Sequence, residues 1–437
     1  MIISDIKEFF SFLKPSNIKG WFDVENLFIN YFWFFTICSL YNLFFRRDTL
    51  FNIGIPVLLY LMLLKDWKLR ISNIIDLLWV IEFFWIIFTW VVNDYPHKAG
   101  LIIRSFLQEI AYMMAYWIGK DGHYNFIQRI IINARKPLLI GCLVGIYCFL
   151  FQPAWYLNRI EDTLLFWYEG SVSTGTILEQ MRLRSFYNGP YPISYICSIA
   201  LVLEVFLLLN KSSISLHQYK YLKYLKIYML LLVVTLILTM MRAPIMSAFV
   251  GVLLAIYYSM RYSKINIISF KFWGRGLIIG LLSFIFLSYL DADVLSYMLQ
   301  KFESVADSGD SFLQERFFLQ AQSFTLLGEG FARYNVFAYY HYNMPSIADG
   351  EYVKIIAEQG FIGLVLVLGM FIAGALKAFI NFKDLFLELC ILIMLFICMI
   401  GADPLSIFDK HCFIFWLALG QISNFKSIGY VKRIVDK

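Results

Sequence analysis

Six cations, Arg182, Arg184, Arg242, Arg316, Arg333 and Lys354, stand in separate segments of a chain whose other long stretches are mostly apolar. Arginine forks meet phosphate oxygens two donors to two acceptors in a plane, and such contacts strengthen where water is excluded. A membrane-surface anion with a lipid tail, such as a polyprenyl diphosphate, suits both these cations and their apolar, aromatic surroundings. Holding the diphosphate as it departs would accelerate cleavage of its bond to a sugar. Glycosyl transfer also needs a carboxylate or imidazole to orient or deprotonate the acceptor hydroxyl. The candidates are Asp349, Glu351, Glu315 and His341. Asp349 and Glu351 lead, because they stand at a loop-to-helix junction beside Lys354. Tyr339, Tyr340, Tyr342, Trp155 and Trp167 could stack on sugar rings, although aromatic residues at a membrane surface are more often interface anchors.

The elements that carry these residues are those of an all-α polytopic membrane protein. Of 437 residues, 60% are hydrophobic and 19% aromatic, whereas a soluble domain is closer to half apolar. Apolar runs recur at about Asn26–Phe45, Leu50–Leu64, Asn73–Val92, Leu101–Gly119, Pro137–Phe151, Tyr191–Leu209, Ile227–Met241, Ala243–Met260, Leu277–Leu290, Tyr352–Ile380, Leu385–Ile400 and Cys412–Ile422. Each is long enough to span a bilayer as drawn or with another turn added. They predict about twelve transmembrane helices in a single membrane domain, residues 1–437, with two elaborated loops at 152–189 and 291–350.

The net charge of +6 reads as orientation rather than as a nucleic-acid partner. Lys and Arg cluster in alternate loops: Lys65, Lys68 and Arg70; Lys120, Arg129, Arg135 and Lys136; Lys211 to Lys226; Arg261 to Arg275; Lys377 and Lys383; and both termini. The positive-inside rule places these in the cytoplasm and both large loops on the opposite side. Arg46 and Arg47 break the alternation. The mixed first twenty-five residues precede an apolar run with no small-residue cleavage site, so that run is expected to stay as an anchor. Phe9, Phe10, Trp21 and Phe22 among Lys7, Lys14 and Lys19 describe either an amphipathic segment on the inner leaflet or a solvated tail.

The first large loop ends in Arg182-Leu-Arg184-Ser-Phe-Tyr-Asn-Gly-Pro190, which should turn sharply into the sixth helix. Arg242 falls between two apolar runs with no polar loop, so it is held at or just inside the boundary of the bilayer, where an arginine is costly unless paired or wet. The second large loop runs about sixty residues, more than a connector needs. It leads into a helix on which Glu351, Lys354 and Glu358 share one face, either as part of a site or as an ion-pair network at a helix end. Asp76, Glu82, Arg104, Glu109 and Glu204 lie at membrane depth, and internal pairing is the expectation for Glu82 and Glu204. The seven cysteines lack metal or redox spacing and the five histidines are scattered, so neither a metal nor a cofactor is expected.

The ordered series Arg184-Ser-Phe-Tyr-Asn-Gly-Pro190, Thr239-Met-Met-Arg242, Glu315-Arg316, Gly328-Glu-Gly330-Phe331, Asp349-Gly-Glu351-Tyr352 and Glu358-Gln-Gly360-Phe-Ile-Gly363 resembles the O-antigen polymerase and O-antigen ligase superfamily. The resemblance covers roughly residues 180–365 together with the overall topology. It implies a metal-independent glycosyltransferase with a GT-C-like bundle in the bacterial inner membrane, acting at the periplasmic face on undecaprenyl-diphosphate-linked oligosaccharide. Its partners would be membrane lipids and a chain-length regulator protein. Arg184, Arg242 and Arg316 match positions where the family keeps cations for the diphosphate, with Arg182, Arg333 and Lys354 as further candidates. The ligase branch carries a histidine just before the last motif, where this chain reads Asp349-Gly350-Glu351, and His341 is eight residues too early. That departure favours the polymerase.

A ligase acting on lipid A-core and a flippase or other transporter of lipid-linked oligosaccharide remain alternatives. A transporter should show repeats, broken helices and polar sites near the midplane. Here the polar residues concentrate in the loops.

Overall fold

The computed structural model describes residues 24–45, 57, 61, 71–93, 99–121, 126–158, 182–185, 190–209, 222–262, 324–334, 350–401, 404–405 and 413–425. Among them the principal elements are helices: α1 (Val24–Ile29), α2 (Tyr31–Phe45), α3 (Ile74–Val92), α4 (Ala99–Asp121), α5 (Phe126–Asn133), α6 (Arg135–Phe151), α7 (Pro190–Leu209), α8 (Leu222–Leu238), α9 (Arg242–Tyr262), α10 (Glu351–Ile380), α11 (Phe386–Gly401) and α12 (Phe413–Asn424). Among the described residues, α3, α7, α9 and α10 are long and apolar enough to cross a membrane, and α5 with α6, bent by 43°, makes a fifth if the pair is one span. The apolar runs at Leu50–Leu64 and Leu277–Leu290 lie outside the described residues apart from Val57 and Leu61; the others fall on described helices.

Local chemistry sets the helix ends. Asn73 opens α3 with a capping box: its Oδ1 accepts from the backbone of Ile75 and Asp76, and Asp76 Oδ2 accepts from Asn73 N at 3.1 Å. Pro190 begins α7, where its missing N–H costs nothing. Only residues 239–241 separate α8 from α9, and Met240 turns the corner at φ +52°.

The chain divides into two compact units, one of Met1–Lys14, Arg135–Ile245 and Ala255–Phe312, the other of Pro15–Ala134, Met246–Leu254 and Leu313–Lys437. In the first, α8 packs on α7 and α6. Arg135 and fully buried Glu204 form a two-pronged ion pair at 2.6 and 2.8 Å, as the expectation of internal pairing required. Cys142 and Cys197 stand with their sulfurs 3.9 Å apart.

In the second unit α12 lies against α4 so closely that a Cβ on Gly119 would overlap the Leu417 carbonyl and one on Gly420 would overlap that of Tyr116. Small residues permit this approach. α10 packs along α3 in the opposite direction: Leu78 meets Gly369, and Trp85 Nε1 donates to Gln359 O at 2.8 Å. A stripe on α3, Ile74, Leu77, Ile81, Phe84, Phe88 and Val91, faces outward uncovered, as do Phe361, Val365, Ile372, Leu376 and Phe379 on α10.

One end of this unit is tied by a buried polar network. Asp76 accepts from Ser72, Asn73 and Tyr116, from Lys120 Nζ at 2.7 Å and from Ser423 Oγ at 2.7 Å. Asn73 and Lys377 both donate to Ser423 O, and Asn424 donates to Lys120 O. Most of these residues stand at the ends of α3, α4, α10 and α12, and Lys120 and Lys377 among them are cations that the charge bias assigns to one side. Glu82 departs from expectation. It is 1% exposed, and neither carboxyl oxygen has a hydrogen-bond partner among the described residues.

Candidate functional site

In the first unit, residues 182–185 form a short non-helical segment held at several points. Leu183 N donates to Leu238 O at 3.0 Å, occupying a carbonyl that the end of α8 leaves open. Tyr156 OH donates to Arg182 O at 2.9 Å and accepts from Arg184 N at 3.3 Å. Ser185, at φ +57°, donates through Oγ to Gly141 O at 2.7 Å. Leu183 is buried against Gly145, and its neighbours Arg182 and Arg184 are half-buried. Arg182 Nη1 lies 3.5 Å from Met241 Sδ, and its buried Nε lacks a hydrogen-bond partner among the described residues. Arg242, exposed at the first position of α9, feels the like charge of Arg182. The segment therefore carries two sequence-predicted cations and sets one of them, Arg182, near a third, Arg242, with Tyr156 as a brace that nothing in the sequence singles out.

In the second unit the described part of the long loop, residues 324–334, enters a break in α10. Gly360 takes φ +73° and ψ −176°, and the loop supplies the backbone bonds the helix loses. Glu329 N donates to Ala357 O at 2.8 Å and Gly330 N to Glu358 O at 2.9 Å, while Phe361 N and Ile362 N donate to Thr325 O and Leu326 O. Broken apolar helices are tolerated where such partners re-satisfy the backbone. The part beyond the break, Phe361 to Ile380, is about 30 Å long at 1.5 Å per residue, enough to span hydrocarbon by itself.

The inserted loop presents Glu329, Arg333 and Tyr334. Tyr334 joins two carboxylates: its N–H donates to Glu358 Oε1 at 3.0 Å, and its hydroxyl donates to Glu329 Oε2 at 2.6 Å. Arg333 Nε pairs with the same Oε2 at 3.0 Å. Glu351, Lys354 and Glu358 are all buried, so their common face points into protein. Glu351 Oε2 accepts from Leu405 N at 3.0 Å. Glu329 is 25% exposed, and its Oε1 makes no hydrogen bond among the described residues. The sequence offered it only as the middle of a Gly-x-Gly turn. The signal was available in the two glycines, both at positive φ, which hold that loop against backbone.

Asp349, Glu315, His341 and Arg316 lie outside the described residues. Arg182, Arg184 and Arg242 belong to the first unit, and Arg333, Glu351 and Lys354 to the second. No cluster of three or more metal-ligating side chains occurs among the described residues. Comparison with known protein families, with characterised proteins and with solved structures finds no match.

Proposed function

We propose that this chain is a polysaccharide polymerase of the bacterial inner membrane, a metal-independent glycosyltransferase that moves a growing glycan from undecaprenyl diphosphate to a new lipid-linked repeat unit at the periplasmic face. The fold that goes with this reading is a GT-C-like bundle of about twelve spans with both termini cytoplasmic. The observation that carries it is the Arg182-Leu183-Arg184 segment with Arg242 beside it. Like charges are gathered there on a backbone fixed by Tyr156, Ser185 and Leu238, and a diphosphate would relieve their repulsion through paired, charge-assisted hydrogen bonds. The uncovered apolar stripes on α3 and α10 suit a lipid surround.

The transport reading keeps one specific argument, the break at Gly360, since discontinuous helices are common in transporters. Here, however, backbone bonds from residues 325–330 fill the break.

Purified protein given only the lipid-linked repeat unit should produce a ladder of longer lipid-linked chains. Arg182→Ala, Arg184→Ala and Arg242→Ala should each slow chain extension by about 10- to 100-fold, corresponding to one lost hydrogen bond to a charged group, with insertion intact. The absence of a ladder, with net movement of the lipid across vesicles instead, would replace the enzyme by a carrier.

A further inference from the structure

We propose that Glu82 is a proton-binding site at mid-span of α3, and that the bound proton lets α3 close on the broken part of α10. Glu82 is the ninth of nineteen residues in that helix and belongs to its buried stripe, Asp76, Trp79, Glu82, Ile86 and Thr89. It is buried, and neither carboxyl oxygen has a hydrogen-bond partner among the described residues. Asp76, Glu351 and Glu358, buried in the same unit, each accept at least one hydrogen bond. The groups around Glu82 have other commitments. Trp79 Nε1 donates to Met113 O of α4, and Trp85 Nε1 donates to Gln359 O of α10. Lys120 pairs with Asp76, six residues and about 9 Å along the helix from Glu82. The described titratable side chains of this stretch of α4 are Tyr112 and Tyr116, and Tyr116 donates to Asp76. Between Gln359 and Gly369, where α10 runs along α3, the chain has no titratable residue. Glu358, just before the break, accepts from Tyr334 N. Apart from Lys120, none of these residues is a cation.

An ionised carboxylate buried without donors costs far more than the neutral acid, so the species that fits this place carries its proton. Ionised Glu82 needs water or donors, which the packed helices exclude, and its ionisation therefore requires α3 and α10 to part. The C-terminal end of the same stripe supports the long loop. Gly330 lies against Thr89 O and Asn93, while Glu329 N and Gly330 N bond to the α10 backbone beside its break. Parting the helices thus unseats the loop, and proton occupancy at mid-span and loop seating at the end of α3 form one equilibrium. Above the ordinary carboxyl range, near pH 4.3, the closed arrangement holds one proton more than the open one. Its advantage is complete at low pH and is lost as pH rises, by about tenfold in the opening equilibrium per pH unit.

The test compares full-length wild type, Glu82→Gln and Glu82→Leu in lipid nanodiscs. Hydrogen exchange at the backbone N–H groups of Glu329, Gly330, Phe361 and Ile362, corrected for the intrinsic rate at each pH, reads the opening. Wild-type protection should fall by about tenfold per pH unit as pH rises above the carboxyl range. Glu82→Gln keeps the shape and cannot ionise, and Glu82→Leu cannot either, so both should be flat in pH. Infrared spectra of wild type should contain a protonated-carboxyl C=O band that both variants lack. An equal pH slope in wild type and either variant overturns the proposal. So does a difference spectrum of wild type against Glu82→Leu that contains only a carboxylate band. Protection that follows sodium at constant pH also overturns it, because the ligand is then a metal cation. Neither measurement requires glycosyl transfer, so failure here and failure of the polymerase reading are told apart.

Discussion

Gly328 and Gly360 occupy each other's side-chain space. A Cβ on Gly360 would come within 2.5 Å of Gly328 N and would overlap the Leu326 carbonyl, and a Cβ on Gly328 would overlap Gly360 N. Both residues are at positive φ, +74° and +73°, so neither the space nor the backbone accepts an ordinary side chain. The pair is the clasp that closes the long loop into the broken helix.

Gly360→Ala should therefore cost about 1–3 kcal/mol from backbone strain alone, and more from the overlap. Gly369→Ala, in the same helix, adds a Cβ at an ordinary 3.8 Å from Leu78 Cδ1 and should change stability by less than about 0.5 kcal/mol. Denaturant or thermal unfolding in micelles compares the two. Equal effects would mean that the break is not held by this clasp.

Asp76→Ala should destabilise the protein by about 3–5 kcal/mol, since it leaves Lys120 buried without its 2.7 Å partner. Lys120→Met should be less damaging, because Asp76 loses its counter-charge but keeps its hydrogen bonds from Ser72, Asn73, Tyr116 and Ser423. Unfolding midpoints read both, and a change below about 1 kcal/mol in either would show that water enters this end of the unit.

Glu82 predicts the opposite sign. Both its oxygens are buried with no partner among the described residues, and an unsatisfied buried polar group costs about 1–3 kcal/mol. Glu82→Leu should raise the unfolding midpoint. A fall would reveal that the carboxyl is needed where it stands.

The Arg135 and Glu204 pair separates charge from packing. Each single methionine substitution should cost about 3–5 kcal/mol, while the double substitution should be close to neutral, because removing both buried charges also removes their desolvation cost. A double mutant as damaged as the singles would argue that the pair also positions its neighbours.

Much of this fold was legible in the chain. Hydropathy located α3, α7, α9 and α10; the Asn-Gly-Pro series located the start of α7; and Pro244 with its short connection located the turn before α9. Lys120 and Lys377, which the alternating cations assign to one side, both join the network at one end of the second unit. The break in α10 was not legible. Gly360 sits in an apolar run of helical pattern, and only the loop folded against it supplies the backbone bonds that let the helix stop and resume. At the candidate site, the junction position of Glu351 was legible, and its hydrogen bond from Leu405 N, 54 residues away, was not. The contacts of Glu329 with Tyr334 and Arg333 are likewise properties of packing that spacing does not encode.

The Asp76 network has a consequence for biosynthesis. Asp76 enters the membrane early in the chain, and Ser423, whose hydroxyl it accepts, follows 347 residues later. During synthesis α3 must wait with a carboxylate incompletely satisfied until α12 arrives, and the second unit cannot reach its final packing one helix at a time. A ribosome-stalled chain ending before α12 should accordingly remain open to proteases and quality-control factors that the finished protein resists.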